Sequence, residues 1–317
     1  MKIYILLTTV VLWWVKHVAW NSAEDFNTAN RANASQNQTV HHLLTLVSIR
    51  LQEIPTIYQP VEEISNFPWI VSVQSTEFRG HVCSANILTN LYILTTCHCV
   101  SRVTGSKMSP VLTNRPEEFF VIAGLKNLQR PDRVQGELGQ TRNVVQIRRH
   151  PDCTPSFDFD YGVLELEYYL YFTPAVQPMP RHVQDHADEC LSPRWLPVSK
   201  WFMGYEQVED LVPSRSVILD SGNCTQGDSS VWSADFLCVR DSSGELFSRA
   251  NRNTGGGILC NGGVPAILSH QEAMNGNAVY ARIERAATFL APFYAESENT
   301  PPKSYTRYNR SNALTQM

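Results

Sequence analysis

The sequence has no strong excess of charge of either sign, because 30 aspartates and glutamates stand against 26 lysines and arginines, for a formal net charge of −4. A protein whose main partner is nucleic acid or an anionic membrane usually concentrates basic charge. The composition therefore favours neither partner, and we expect no nucleic-acid binding. The polar stretch from Glu296 to Met317 also has no apolar run that could serve as a lipid-anchor signal.

The sequence is short of long apolar runs. At the N-terminus the chain is largely apolar from Ile3 to Val15, before Lys16. A membrane span needs about 20 apolar residues, whereas a run of this length suits a secretory signal peptide. We predict a signal peptide over 1–22, cleaved between Ala19 and Ala23, and no membrane span in the mature chain. An uncleaved anchor is the alternative.

Helical segments that alternate with strands are also missing. Short β-rich runs recur instead, separated by turn-forming residues, which favours a sandwich or barrel. The predicted strands are Phe67–Gln74, Asn86–Thr95, Phe119–Ala123, Val144–Ile147, Val163–Leu166, Val217–Leu219, Phe236–Val239, Gly257–Cys260, Ala266–Ser269 and Ala278–Ile283.

Three separate stretches carry a recognisable pattern. They read TTCHC at 95–99, DFDYGVLEL at 158–166 and NRNTGGGILCNG at 251–262. In this order they resemble the His, Asp and Ser blocks of the chymotrypsin/trypsin family of serine proteases, whose usual forms are TAAHC, D-I-x-L-x-x-L and GDSGGPLxC. The segment FPWIVSVQ at 67–74 is similar to the FPWxVSL start of that family's domain.

The resemblance implies an all-β fold of two six-stranded antiparallel β-barrels of the trypsin type, followed by a C-terminal helix. It covers 57–294, which we take as the trypsin-like domain. Residues 23–56 are expected to form an N-terminal arm or propeptide-like segment, and 295–317 a disordered polar tail. Pro292 is expected to kink or end the C-terminal helix.

The chain has eight cysteines, and composition alone cannot pair them. The resemblance implies three bridges, and in this family the two remaining positions approach each other beside the His and Asp side chains, which predicts a fourth. Two free thiols, or a metal site using Cys97, His98 and Cys99, are the alternatives; we expect no metal. The predicted pairs are Cys83–Cys99, Cys190–Cys260, Cys224–Cys238 and Cys97–Cys153.

The resemblance assigns His98, Asp160 and Thr254 to the catalytic triad, with Thr254 in place of serine. Arg252 and Thr254 occupy the oxyanion-hole positions, and Asn253 replaces the aspartate that pairs with a new N-terminal ammonium after activation cleavage. The β-methyl of threonine restricts its χ1. Arginine in a conformation suited to glycine is expected to be strained by about 1–3 kcal/mol. We therefore expect the triad to be degenerate.

The specificity pocket departs from the family pattern as well. Ser248 lies at the position of the pocket-floor aspartate of trypsin-like members, so no preference for a cationic side chain is expected. Ser269 and Gln271 fall in the strand that backs bound peptide. The insertion Ser101–Glu118 is expected on the rim of the cleft, where it either holds a binding determinant or is merely tolerated.

Four glycosylation sequons begin at Asn33, Asn37, Asn223 and Asn309. Together with the signal segment, they lead us to expect a secreted, glycosylated pseudoprotease. It is expected to be a monomer without cofactor that binds an unidentified extracellular protein. The alternative is an active endopeptidase that uses Thr254 as its nucleophile.

Overall fold

The computed structural model describes residues 62–103, 111–128, 139–181, 190–201, 205–220, 224, 235–241, 252–271 and 277–299. The expected signal peptide and N-terminal arm, all four sequon asparagines and the pocket residue Ser248 lie outside the described residues. Within these ranges, no helix is both long and apolar enough to cross a membrane.

The first barrel contains six antiparallel strands. The order around the barrel is β1-β2-β3-β9-β8-β6, and β6 pairs back with β1 to close it. β4 and β5 form a separate two-stranded sheet. The strands of this half are β1 (Ile70–Ser75), β2 (His81–Ile87), β3 (Tyr92–Thr95), β4 (Ser101–Val103), β5 (Val111–Thr113), β6 (Phe119–Ala123), β7 (Asn127–Leu128), β8 (Gln140–Arg149) and β9 (Gly162–Leu166).

The second barrel also contains six antiparallel strands. Its order is β10-β13-β14-β15-β12-β11, closed by pairing between β10 and β11, and β7 adds to the outer edge of β11. Its strands are β10 (Cys190–Trp201), β11 (Tyr205–Leu219), β12 (Phe236–Asp241), β13 (Gly257–Cys260), β14 (Gly263–Gln271) and β15 (Ala278–Arg282). The predicted double-barrel fold is confirmed.

The pairing of β3 with β9 positions the functional site. The two central residues of β3 pair with two apolar residues of β9, and all four are at most 1% exposed. Burying an aliphatic side chain of this size stabilises the fold by about 1.5–3 kcal/mol. Thr95, the last residue of β3, pairs with Gly162, the first of β9. The chain segments that carry His98 and Asp160 therefore leave the barrel side by side.

The β10–β11 hairpin is much longer than the sequence suggests. Only Val217–Leu219 is predicted as strand there, whereas the two strands pair from Cys190↔Ser216 to Trp201↔Tyr205. Prolines at 193, 197 and 213 argue against a strand because they cannot donate to a ladder. Beyond Leu191, however, β10 has no second partner strand within the described ranges, so its prolines interrupt no second ladder.

The predicted strand Asn86–Thr95 is two strands. β2 ends at Ile87 and β3 begins at Tyr92. The hydroxyl of Thr89 accepts hydrogen bonds from the backbone N–H groups of Leu91 and Tyr92, which closes the turn between them. A side chain that bonds its own backbone two residues on is typical of turns.

The C-terminal helix α1 runs from Ala287 to Asn299, after a 3₁₀ turn over Ile283–Ala286. It continues through Pro292, so of the two expected effects of this proline, a kink or an end of the helix, the second is wrong. Leu290 and Phe293 are buried, and the ring of Phe293 lies 5.1 Å from that of Tyr92 in the first barrel. The Tyr92 hydroxyl donates to Glu296 at 2.5 Å. These contacts lie on both sides of Pro292 in the sequence and fix the helix to the first barrel. Residues 300–317 lie outside the described part of the chain.

All four predicted disulfides are present, and among the described residues no cysteine is free. Cys97–Cys153 joins the turn before His98 to the loop before Asp160. Its sulfur atoms and an Asp160 carboxylate oxygen lie within 4.8 Å of one another. A metal would need thiolates as ligands, and a disulfide offers none.

We expect loss of Cys97–Cys153 to destabilise the domain more than loss of Cys224–Cys238, because these bridges close sequence separations of 56 and 14 residues. The chain-entropy relation gives about 4 and 3 kcal/mol for the two loops. Paired Cys→Ser variants, unfolded in guanidinium chloride, check the order. The opposite order would show that strain or structure in the unfolded chain outweighs loop entropy.

Candidate functional site

His98 and Asp160 form a directly bonded pair. His98 begins the turn that follows β3, and its Nδ1 lies 2.8 Å from Oδ1 of Asp160. The backbone N–H of His98 donates to the same oxygen at 3.0 Å. The hydroxyl of Ser269 donates to the other carboxylate oxygen at 2.6 Å. Asp160 is completely buried, and three donors hold the carboxylate that orients the imidazole.

Ser269 therefore has a contact that its assignment to the pocket does not anticipate. It lines the cleft, but its hydroxyl is committed to Asp160. The side chain of Gln271, like that of Ser248, lies outside the described residues. Local sequence does not indicate this contact. It arises because β14 places Ser269 opposite the segment that carries Asp160, which is a tertiary relation.

Thr254 lies in the same cleft as His98 but makes no hydrogen bond to it. Nε2 of His98 is buried and has no hydrogen-bond partner among the described residues, the Thr254 hydroxyl included. The backbone carbonyl of Thr254 accepts from the N–H of Ser84 on β2, at 3.0 Å. The structure thus brings His98, Asp160 and Thr254 together, without the nucleophile-to-base hydrogen bond that acyl transfer uses.

The expected backbone strain at Arg252 is not present. The described non-glycine residues with positive φ are Arg79, Phe157, Phe159 and Asn261, so the backbone of Arg252 stays outside the left-handed region that glycine reaches freely. Its guanidinium reaches across to the first barrel and donates to the carbonyl of His81 at 3.5 Å. The backbone of Arg252 is therefore free of the strain that a positive φ would cause.

Asn253 is 1% exposed, and its side chain makes three hydrogen bonds. Its Oδ1 accepts from the backbone N–H of Trp195 at 2.6 Å and from the Ser84 hydroxyl at 3.1 Å. Its Nδ2 donates to the carbonyl of Trp195 at 2.8 Å. A neutral carboxamide, which both donates and accepts, therefore fastens this loop to strands of both barrels.

The glycines that follow Thr254 are required by packing. Gly255 has φ +91°, and a Cβ there would collide with the carbonyl of Ser84 and the hydroxyl of Thr95. Asn86 binds the same segment, since its Nδ2 donates to the Gly255 carbonyl at 2.7 Å and its Oδ1 accepts from the Gly257 N–H at 2.9 Å. The glycine run therefore serves the junction between the barrels whether or not the site is catalytic.

His81 is a buried histidine that lies outside the three motif stretches. Gln74 donates to the Ser72 hydroxyl at 2.6 Å, and that hydroxyl lies 2.7 Å from Nδ1 of His81. Burial lowers the pKa of His81 to about 3, opposed by a hydrogen bond involving the Arg252 backbone. The imidazole is therefore neutral at physiological pH. A polar residue within a strand gives no local signal of such a network.

The cleft has a volume of about 590 Å³. His98, Thr254 and Ser269 line it, as do Asn114 and Glu118 of the insertion, so the insertion reaches the rim as predicted. Phe78 stands in its wall with 75% of its surface exposed. The cleft thus combines an oriented imidazole with an accessible apolar wall.

Two six-stranded barrels with a buried aspartate orienting a histidine at their junction define the trypsin-like serine protease fold. In agreement, residues 59–290 match the family described as Trypsin, and the chain belongs to this family. It is 29% identical over 134 residues to the atrial natriuretic peptide-converting enzyme of Rattus norvegicus, a match covering 41% of this chain and 11% of the relative.

The corresponding human protein is 30% identical over 114 residues, which is 36% of this chain and 10% of the relative. The mouse protein is 28% identical over 134 residues, again 41% and 11%. The matched region thus spans about a tenth of the length of these relatives.

We expect His81 to make stability fall as pH falls below about 6.5. The unfolded histidine then binds a proton that the folded one, with a pKa of about 3, does not. Stability therefore rises with pH across this window, by up to about 1.4 kcal/mol per pH unit. In urea unfolding between pH 4 and 7, His81→Gln should show a slope shallower by about one proton. Ser72→Ala keeps the imidazole and is the control, so its unfolding free energy should depend on pH as that of the wild type does. Equal pH slopes for wild type and His81→Gln would contradict the pKa assigned to His81.

We expect Asn253→Asp to destabilise the domain by about 1–3 kcal/mol at pH 7, because a carboxylate cannot donate to the Trp195 carbonyl. Burial should raise the pKa of the new carboxyl above its unfolded value of about 4, so the loss should shrink as pH falls toward about 4 and stay constant below it, where both states are protonated. Asn114→Asp, at the half-buried rim, is the matched control. Chemical unfolding at pH 7 and pH 3.5 measures both, and a neutral Asn253→Asp at pH 7 would contradict this account.

Proposed function

We propose that this chain is a serine protease homologue that does not hydrolyse peptide bonds and acts by binding a protein partner. The observation that carries the proposal is the buried Nε2 of His98, which has no hydrogen-bond partner among the described residues although Thr254 lies in the same cleft. A serine-type mechanism requires that nitrogen to take the proton of the nucleophile. Here the hydroxyl and its base share a cleft without a bond between them.

The oxyanion position supports the same proposal. Acyl transfer needs backbone donors aimed at the developing negative charge, and loss of one donor typically costs about 10²–10³ in rate. Arg252 stands at the position of the family's glycine, and its backbone lies outside the left-handed region. Asn253 cannot provide the negative charge that binds a new N-terminal ammonium. These changes affect separate requirements of one mechanism, so a single compensating change does not restore it.

The proposed partner site is the cleft itself. It combines an exposed aromatic side chain, Phe78, with rim residues Asn114 and Glu118 from the insertion. Phe119 and Phe157 line the same cleft, and a concave surface that combines aromatic side chains with a few polar groups is typical of a binding site.

We further propose that the protein is secreted, N-glycosylated and monomeric, with an extracellular protein as partner and no cofactor. Four disulfides support an oxidising compartment, because such bonds persist there and are rare in the cytosol. The proposed leader over 1–22 and the four sequons agree with this compartment. The relatives are named as converting enzymes of atrial natriuretic peptide; we propose that this chain does not share that activity.

The alternative is an endopeptidase with Thr254 as nucleophile. One observation favours it: the hydrogen bonds from His98 and Ser269 to Asp160 are fully assembled. Apo structures of enzymes can show loose nucleophile contacts that tighten only with substrate. The intact half of the triad is therefore compatible with chemistry, and experiment decides.

We expect no labelling of the purified protein by a fluorophosphonate probe and no cleavage of a mixed peptide library. Thr254→Ser alone should also be inactive, because the oxyanion and ammonium sites remain altered, and adding Arg252→Gly and Asn253→Asp should recover little. Active trypsin is the positive control. Labelling of the wild type that disappears in Thr254→Ala would establish the endopeptidase instead.

The partner-binding half of the proposal is tested separately. Wild-type protein and Phe78→Ala are used to capture partners from extracellular fluid, with Phe172→Ala as control, since Phe172 is 47% exposed but lies outside the cleft. Loss of one captured protein with Phe78→Ala alone is the expected result. Equal capture by all three places the binding surface elsewhere, and no saturable partner at all contradicts the function.

A further inference from the structure

Three exposed aromatic side chains lie within five residues of one another in the loop that follows β9. Tyr168, Tyr171 and Phe172 have 40%, 56% and 47% of their surfaces exposed. The other large exposed apolar side chains in the described part of the chain are far apart in the sequence. A single exposed apolar residue is ordinary on a protein surface, whereas a group of them marks an interaction site. We call residues 168–172 the aromatic loop.

Side chains of β8 hold the aromatic loop in place. The carboxamide of Gln140 bonds the backbone of Tyr171 twice, since Nε2 donates to the carbonyl at 2.6 Å and Oε1 accepts from the N–H at 2.9 Å. Nε of Arg142 donates to the Tyr169 carbonyl at 3.0 Å, and its guanidinium lies 5.7 Å from the centre of the Tyr171 ring. A surface that is ordered before binding loses less conformational entropy on association.

Phe172 also lines a groove of about 380 Å³ that shares no lining residue with the cleft. Leu88, which follows β2, and Met179 are the buried apolar residues of this groove, and Tyr294 of α1 lines it as well. The guanidinium of Arg181 lies 4.6 Å from the centre of the Tyr294 ring. The volume falls within the range of about 300–1,000 Å³ that ligand pockets have. The groove can therefore receive a bulky apolar side chain.

The charge near the aromatic loop and the groove is mainly positive. Arg181 is exposed at the groove, and Arg142 lies beside the loop. Among the described residues that line the groove there is no carboxylate. Glu167 precedes the loop, and its carboxylate accepts from Nδ2 of Asn143 at 2.9 Å. Aromatic residues and arginine are enriched in protein interfaces, and a positive surface is complementary to an acidic partner.

We propose that the aromatic loop and the groove form a second docking site, which binds an acidic segment of a protein partner. The segment inserts one bulky apolar side chain into the groove, and its carboxylates pair with Arg142 and Arg181. A concave groove suits a peptide side chain better than the broad surface of a lipid bilayer. The site goes beyond the proposed function of the cleft, and either site can fail without the other.

The test offers the groove a defined acidic peptide. The probe is fluorescein-EEDFDEE-amide, followed by fluorescence anisotropy, and the reference peptides are fluorescein-KKKFKKK-amide and fluorescein-EEDGDEE-amide. The variants are Phe172→Ala, Arg181→Glu and Arg181→Lys. Phe78→Ala is the matched control, because it removes an exposed aromatic side chain from the cleft. Thermal unfolding confirms that each variant is folded, and Phe172→Ala decides the question if Arg181→Glu does not fold.

We expect wild type to bind the acidic phenylalanine peptide more tightly at about 50 mM than at about 300 mM salt, because salt screens exposed charges. Phe172→Ala and Arg181→Glu should each weaken binding by about tenfold or more, as loss of an interface anchor or charge does. Arg181→Lys should keep most of the affinity, and Phe78→Ala should match wild type. Both reference peptides should bind at least several times more weakly than the probe.

Three results would overturn the acidic-segment site: no saturable binding of the probe up to about 1 mM, equal affinity in wild type and Phe172→Ala, or equal binding of the lysine peptide. The same variants distinguish other occupants. Sedimentation of wild type, but not of Phe172→Ala, with phosphatidylcholine–phosphatidylserine vesicles would assign the surface to lipid. A dimer that Phe172→Ala abolishes would assign it to a second copy of the chain. Either finding would also contradict the proposal.

Discussion

The structure depends on the close approach of two backbones where the barrels meet. The segment from Asn253 to Gly257 lies so near β2 that a Cβ on Gly255 has no space, and Asn86 bonds both ends of the glycine run. Each of these contacts is between neutral groups, and each is buried. An unsatisfied group here would cost about 1–3 kcal/mol, which is a large part of the stability of an ordinary domain. The glycines and the asparagine amide are therefore fixed by the fold.

The constraint separates what the fold needs from what catalysis needs. A glycine at the position of Arg252 and a serine at that of Thr254 would serve chemistry, while the contacts between the barrels use the Arg252 guanidinium and the Thr254 backbone. The guanidinium of Arg252 donates to the carbonyl of His81, and the carbonyl of Thr254 accepts from the Ser84 N–H on β2. Neither contact requires a glycine at the first position or a serine at the second. A trypsin-like chain can in this way keep its architecture while the groups that act on substrate diverge.

Much of this arrangement could be predicted from sequence. The motif order indicated both barrels and the four bridges, including Cys97–Cys153, since the relevant positions are set by strands that the family shares. The strain expected at Arg252 is absent, because its backbone does not have the positive φ on which that expectation depends. The role of Ser269 and the length of the β10–β11 hairpin were missed. Both depend on which strands lie opposite each other, and local patterns carry no such information.

The C-terminal helix follows the second barrel in sequence but packs on the first. Phe293 lies against Tyr92, and Glu296 accepts the hydroxyl of that same tyrosine. Arg148 of β8 reaches the helix as well, with its guanidinium 5.4 Å from the Phe293 ring. Contacts this distant along the chain slow folding, because the intervening loop must first be closed. On the ribosome the first barrel must therefore wait, with part of its apolar surface uncovered, until almost the whole polypeptide has emerged.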